Sequence, residues 1–341
     1  MTEPQAGPAV QRGSRRKTAW VSVVVCVVLL VGAAIPIALK MRSAPTPNST
    51  QSIRYLGVYE RDSSSSYSGI STFTAATGIR PDVLTYYSSW LEPFQTSFAT
   101  TAAKHGAVPL VQIDPLGVSL AKIASGQYDS YLIAYAKAVR AYLYPVILSF
   151  GHEMNGNWSS WGNTHTSPAT FVAAWRHIVT VFRRAKAKNV TWLWTVNIMQ
   201  TGGIPSPAVW WPGNSYVTWV GLDGYYFQPS WSFASLFGPT IAAVRELTPD
   251  PILIAETGAT AGTSQPSKIA DLFAGVRLYG LLGFVWFNAV AAKDWLISGP
   301  TAFAAFRQGA NAYHRPGCLT VQDSEIKKLH EPTPGGSSCL T

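Results

Sequence analysis

Two glutamates stand where apolar runs break into glycine-containing turns: Glu153 in Ser149-Phe150-Gly151-His152-Glu153-Met154-Asn155-Gly156, and Glu256 in Ile252-Leu253-Ile254-Ala255-Glu256-Thr257-Gly258. Such a pair can cleave an acetal. One carboxyl protonates the departing oxygen while the other attacks or stabilises the cationic carbon, and rigid strand ends hold both more firmly than loops. Each glutamate could instead cap a turn. Burying an unpaired carboxylate costs several kcal/mol, however, so an acid closing an apolar run needs partners or a function. The same setting raises the carboxyl pKa, which a general acid near neutral pH requires. His152 suggests zinc only superficially: the protease motif needs a second histidine four residues on, and position 156 is Gly. Neither a glycine-rich phosphate loop nor a cysteine–histidine cluster is present, so no metal and no cofactor are expected.

Candidate substrate contacts surround the pair. His152 could orient Glu153 or touch substrate, and Asn155 could donate to a sugar hydroxyl. In Asp223-Gly224-Tyr225-Tyr226 a tyrosine hydroxyl could steady a Glu256 carboxylate while Asp223 holds neighbouring groups. Sugar rings expose C–H faces that stack on indoles, which makes Trp158, Trp161 and Trp286 candidates, Trp286 for the floor beneath the reacting sugar. Core packing explains any single indole equally well.

The elements that must position these groups are legible as alternating apolar β-branched runs and segments of helical period. Eight strands are expected, over 53–59, 83–87, 108–113, 146–150, 191–196, 219–222, 252–255 and 283–287. The clearest helices span 128–142, 167–186, 233–247, 267–279 and 301–313, and the Gly/Pro/Trp-rich connection 200–215 reads as a reduced or missing helix. The fold class expected is α/β, a (β/α)8 barrel over 53–315, with a doubly wound open sheet as the alternative. Glu60, Asp114, Glu153, Asp223 and Glu256 all fall at carboxyl-terminal strand ends. That is the face on which such barrels build active sites.

The flanks read differently. Trp20–Leu39 is about twenty residues without a charge, enough at ~1.5 Å per residue for a ~30 Å hydrocarbon core. With four cations before it and two after, it is expected to be a transmembrane helix: residues 1–19 cytoplasmic, 20–39 a signal-anchor, 40–52 a polar linker, and the barrel on the extracellular face of the cell membrane. Secretion after signal cleavage is the alternative. The 341-residue chain carries a net +9, but residues 1–42 hold six of its 26 basic residues against one of its 17 acids, leaving +4 for the remainder. The one later basic run, 183–188, ends an expected helix, so no nucleic-acid partner is expected. Cys318 and Cys339 lie in a Pro/Gly/Ser-rich tail, 316–341, where export would allow a disulfide between them.

Gly151-His152-Glu153-Met154-Asn155-Gly156 with Trp158 and Trp161-Gly162, then Trp219-Val220-Gly221-Leu222-Asp223-Gly224-Tyr225, then Ile254-Ala255-Glu256-Thr257-Gly258 resemble, in this order, glycoside hydrolase family 26, the β-mannanase family. The likeness covers roughly 53–315. It implies a retaining (β/α)8 enzyme with Glu153 as acid/base and Glu256 as nucleophile, Tyr225 beside the nucleophile and Trp286 as the strand-eight indole. The segment Trp158-Ser159-Ser160-Trp161-Gly162 and the Gln112-Ile113-Asp114-Pro115 end of strand three depart from the family pattern near sugar-binding positions. The expectation is therefore an exported endo-β-glycosidase with a polysaccharide substrate, β-1,4-mannan first. A catalytically silent polysaccharide-binding scaffold, a transglycosylase, and a hydrolase of the cell's own envelope polysaccharide are the alternatives.

Overall fold

The structure, a computed structural model, describes residues 52–199 and 203–315. The expected membrane helix over 20–39 and the expected Cys318–Cys339 bridge lie outside these residues, and among the described residues no helix is long and apolar enough to cross a membrane.

Eight parallel strands close into a barrel in sequence order: β1 Tyr55–Glu60, β2 Val83–Ser89, β3 Val108–Asp114, β4 Val146–Phe150, β5 Val190–Asn197, β6 Trp219–Tyr226, β7 Ile252–Ala259 and β8 Gly283–Asn288. Closure is made by β1 on β8, in register from Tyr55↔Gly283 to Glu60↔Asn288. The helices outside are α1 Ser68–Thr77, α2 Thr96–Lys104, α3 Leu120–Ala124, α4 Asp129–Tyr142, α5 Pro168–Arg184, α6 Phe233–Leu247, α7 Gln265–Leu278 and α8 Gly299–Tyr313. No α-helix is described between β5 and β6, where two 3-10 turns, Pro207–Trp210 and Asn214–Tyr216, take its place. The prolines and glycines of 200–215 disfavour a continuous helix there.

Strand alternation sorts the side chains into two layers. Tyr55, Val83, Val108, Leu110, Ile147, Leu193, Trp219, Leu253, Ala255 and Val285 fill the barrel interior. Their neighbours along each strand, such as Leu56, Leu84, Val111, Trp194 and Phe284, face the helices. Outside β8, the rings of Phe273, Phe284 and Phe306 meet edge to face at 5.0, 5.3 and 6.0 Å, each such pair worth about 0.5–1.5 kcal/mol beyond its buried area. Gly309 lets α8 press onto Phe273, since a Cβ there would sit 2.3 Å from the ring. Serine side chains cap two of the helices: Ser167 accepts from Thr170 N at 3.2 Å ahead of Pro168, and Ser232 forms a capping box with Ser235.

Barrel closure depends on a bare backbone at one point. Gly283 opens β8 at φ +157°, and a Cβ there would lie 1.8 Å from the carbonyl oxygen of Tyr55, an atom already inside the β1–β8 ladder. No rotamer change relieves a contact with backbone, so Gly283→Ala is expected to cost about 3 kcal/mol or more in urea unfolding. A loss within about 0.5 kcal/mol would show that the closure tolerates a side chain.

Candidate active site

The acid side of the site is a turn held open by left-handed backbone. Gly151 (φ +54°) follows β4, and a Cβ there would crowd Phe171 and Trp161 at 3.2 Å. Glu153 itself sits at φ +56°, a conformation costing a non-glycine residue about 1–2 kcal/mol. Its neighbours enforce that backbone: Gly151 N donates to Ile113 O (2.9 Å), Glu153 N to Thr195 O (3.0 Å) and Gly156 N to Glu153 O (2.8 Å). The turn is thereby pinned to β3 and β5. Asn155 completes the attachment, donating to Asn197 O (2.8 Å) and accepting from Asn197 N (2.9 Å). The Asn197 amide then reaches Glu153 Oε1, while the Trp158 indole donates to Oε2 at 2.8 Å.

Glu256 is aimed by an irregularity. Leu253 and Ala255 belong to the barrel interior, so plain alternation would turn Glu256 outward towards the helices. The register slips instead: Leu222↔Ile254 is followed by Asp223↔Glu256, and on the other side Ile254↔Phe284 by Thr257↔Trp286. One extra residue in β7 is a β-bulge, a device that re-aims a side chain beside active sites. The Glu256 carboxylate then accepts from the Tyr225 hydroxyl on one oxygen and the Tyr87 hydroxyl on the other.

His152 links the two halves. Its Nδ1 lies 2.9 Å from Asp114 Oδ1, and polar atoms of His152, Asp223 and Glu256 all fall within 4.8 Å of one another. These three are the group among the described residues whose side chains could share a metal ion. Both Glu256 oxygens are already taken by tyrosine hydroxyls, and His152 Nδ1 by Asp114. Burial opposes a charged His152, but Asp114, then Glu153 and Asp223, outweigh it and push its pKa up to about 10. Glu153 is pushed up to about 7, chiefly by burial and then by the Glu256 charge, against the lowering effect of His152, Asn197 and Trp158. Asp223 is fully buried, and its two oxygens meet no hydrogen-bond donor among the described residues. Burial and the charges of Glu256 and Glu153 raise it well above the usual carboxylate range, which favours the neutral acid.

Several expected substrate contacts do other work. Trp286 is 0% exposed: it faces the helices, donates to Trp295 O at 2.9 Å and meets Phe306 edge-on. The inward position at the end of β8 belongs to Phe287, stacked on Tyr59 at 4.6 Å and edge-on to Tyr225 at 6.0 Å. Trp161 is 3% exposed and donates to the His152 carbonyl at 2.7 Å, so it holds the turn and offers no face to a sugar. Asn155, also buried, spends its amide on β5. Trp158, by contrast, is 53% exposed, and His152 and Tyr225 are partly exposed in the mouth. Tyr87 and Asn197 escaped the sequence reading. Counting by twos from Val83 and Leu193 finds both on the interior face, and Asn197 lies one residue beyond the expected end of β5.

The family model for glycosyl hydrolase family 26 matches residues 119–265, a span holding both glutamates and the bulge. The barrel domain belongs to glycosyl hydrolase family 26. The chain is 30% identical over 264 residues to Endoglucanase H of Acetivibrio thermocellus, covering 72% of this chain and 29% of that protein. It is 27% identical over 172 residues to Beta-1,3-xylanase TXYA of a Vibrio species, covering 47% and 36%. It thus spans about a third of the length of these relatives. In fold it is similar to the catalytic domain of a family 26 endo-β-1,4-mannanase from Bacillus sp. JAMB-750, with a TM-score of 0.63 at 14% identity over 78% of this chain and 88% of that one.

Replacing Asp114 by Asn removes the largest influence holding the His152 proton and leaves Glu153 and Asp223 to oppose burial. The His152 pKa, followed by ring NMR, is expected to fall from about 10 towards its ordinary value of 6.5. A wild-type His152 raised in the folded state contributes stability that is complete below pH 6.5 and is lost as pH rises towards about 10. The Asp114→Asn protein should lack that loss. An unchanged His152 titration would remove Asp114 from this role.

Proposed function

We propose that the protein is a retaining endo-β-glycosidase in which Glu153 is the acid/base and Glu256 the nucleophile. The observation that carries this reading is the division of labour between the two carboxyls. Glu153 is pushed up to about 7, which suits a general acid/base near neutral pH, whereas Glu256 is held through both carboxylate oxygens by tyrosine hydroxyls, which fixes its direction. In the first half of the reaction the glycosidic oxygen takes the Glu153 proton as the C1–O bond breaks and Glu256 bonds to C1. In the second half water gives its proton to Glu153 while its oxygen displaces Glu256 from C1. The anomeric configuration is inverted twice and so retained.

The loops after β3, β6 and β7, residues 115–119, 227–232 and 260–264, are short, which suits an open groove and internal cleavage. Tyr59, Phe287 and Tyr225, all partly exposed, form a continuous set of rings beside Glu256, an apolar floor for a sugar. Family membership puts β-1,4-mannan first among substrates. The likeness to an endoglucanase over most of the chain favours a β-glucan as the second reading. We propose in addition that residues 20–39 tether the barrel to the outer face of the membrane, where the cell's own envelope polysaccharide is within reach. Protease accessibility of intact cells tests that clause.

The catalytic test uses the protein on mannan, glucomannan, mixed-linkage glucan and β-1,3-xylan. Wild type is expected to release reducing ends with retained configuration by NMR. Glu153→Ala and Glu256→Ala should each lose on the order of 10³-fold or more. Release of inverted product would sink the mechanism. Binding of a glycan with no release would leave a silent scaffold.

A further inference from the structure

Trp158 meets both the solvent and the acid. Its indole Nε1 donates to Glu153 Oε2 at 2.8 Å, yet 53% of the residue stays open at the mouth of the barrel. The ring is seated on Gly156, where a Cβ would lie 2.3–2.6 Å from three ring atoms. Gly156 belongs to the same turn as the acid: its N–H donates to Glu153 O, and its carbonyl accepts from Asn163 N at 2.7 Å. The indole's place over the carboxyl is therefore set by a missing side chain.

An N–H aimed at a carboxyl favours the ionised form. Glu153 needs the opposite when a bond breaks, and needs the ionised form when water attacks. Asn197 sits on strand β5 and holds Oε1. Trp158 sits on a loop and holds the other oxygen. We propose that Trp158 is a positioning residue coupling occupancy of the leaving-group side to protonation of Glu153. A sugar ring stacking on the exposed indole draws Nε1 off Oε2, so the acid keeps its proton until the glycosidic oxygen takes it. When the leaving sugar departs, the indole returns and favours the carboxylate that accepts the water proton. This rests on the retaining reading above and goes beyond it by assigning the switch between the two halves.

The remaining groups facing Glu153 do not supply this switch. His152 on the same turn is held by Asp114 on β3, Asp223 is buried on β6, and Glu256 on β7 is clamped by Tyr87 from β2 and Tyr225 from β6. None of them is more than partly exposed, whereas Trp158 is open to solvent over half its surface.

The test is a carbon NMR titration of the full-length chain labelled at glutamate carboxyls, with Glu153 assigned by Glu153→Gln. In Trp158→Phe, which keeps an apolar ring and removes the donor, Glu153 should titrate about half a unit or more above wild type. Gly156→Ala, which keeps the indole but unseats it, should shift Glu153 the same way. β-1,4-Mannobiose or cellobiose at saturating concentration should raise Glu153 in wild type and leave it unmoved in Trp158→Phe. Coincident titrations of wild type and both variants would overturn the coupling, and hydrolysis by the same wild-type preparation would then show the glycosidase reading surviving without it. A wild type that cleaves none of the glycans overturns that reading and the coupling together, whatever the titration.

Discussion

Gathering Asp114, Glu153, Asp223 and Glu256 at the mouth of an apolar barrel sets the problem that the rest of the site solves, because each charge taken from water must be matched or neutralised. One cation cannot match four anions, and among the described residues His152 is the basic group in the cluster. The protein uses three different solutions. Asp114 is paired with His152, Glu256 is held by two tyrosine hydroxyls, and Asp223 is pushed towards its neutral form by burial. Glu153 is left between them, with two neutral donors and a pKa near 7.

The barrel makes this arrangement stiff. Alternation delivers Tyr87, Asn197 and Tyr225 to the interior face of three different strands, so none can move without disturbing a ladder. The two glutamates arrive by departures from regularity: a bulge in β7 for Glu256 and a left-handed turn after β4 for Glu153. Both departures carry a local cost, offset by the hydrogen bonds from the turn to β3 and β5 and by the β6–β7 pairing that resumes beyond the bulge.

These departures also explain what could be read from the sequence. The eight strands, the weak connection before β6 and the two glutamates were legible because hydrophobic runs ending in acids are one-dimensional signals. Helices α1 and α2 were not, since Ser68–Thr77 and Thr96–Lys104 are rich in serine and threonine, which favour caps and turns over helix interiors. Trp286 was misjudged because residue type suggested a stacking surface while its parity, one step from interior Val285, turns it to the helices. The indole of Trp161 and the amide of Asn155 look from sequence like sugar contacts, but Trp161 donates to the backbone of the turn that carries Glu153 and Asn155 to the backbone of β5. Partners that come from distant strands, Tyr87 for Glu256 and Asn197 for Glu153, follow only once the closure order is known.

What distinguishes the two carboxyls in the end is which of their partners can move. Both donors to Glu256 stand on strands, and in the proposed reaction a nucleophile that forms one bond to one carbon gains from fixed orientation. In the same proposal Glu153 holds a proton at one moment and accepts one at the next, and a fully fixed set of donors would favour one of those states throughout. Its two donors differ in this respect: Asn197 is locked by two hydrogen bonds to Asn155, while Trp158 rests on a glycine at the solvent edge. A rigid barrel with one exposed hydrogen-bond donor on its acid is thus suited to a reaction whose two halves ask opposite things of the same carboxyl.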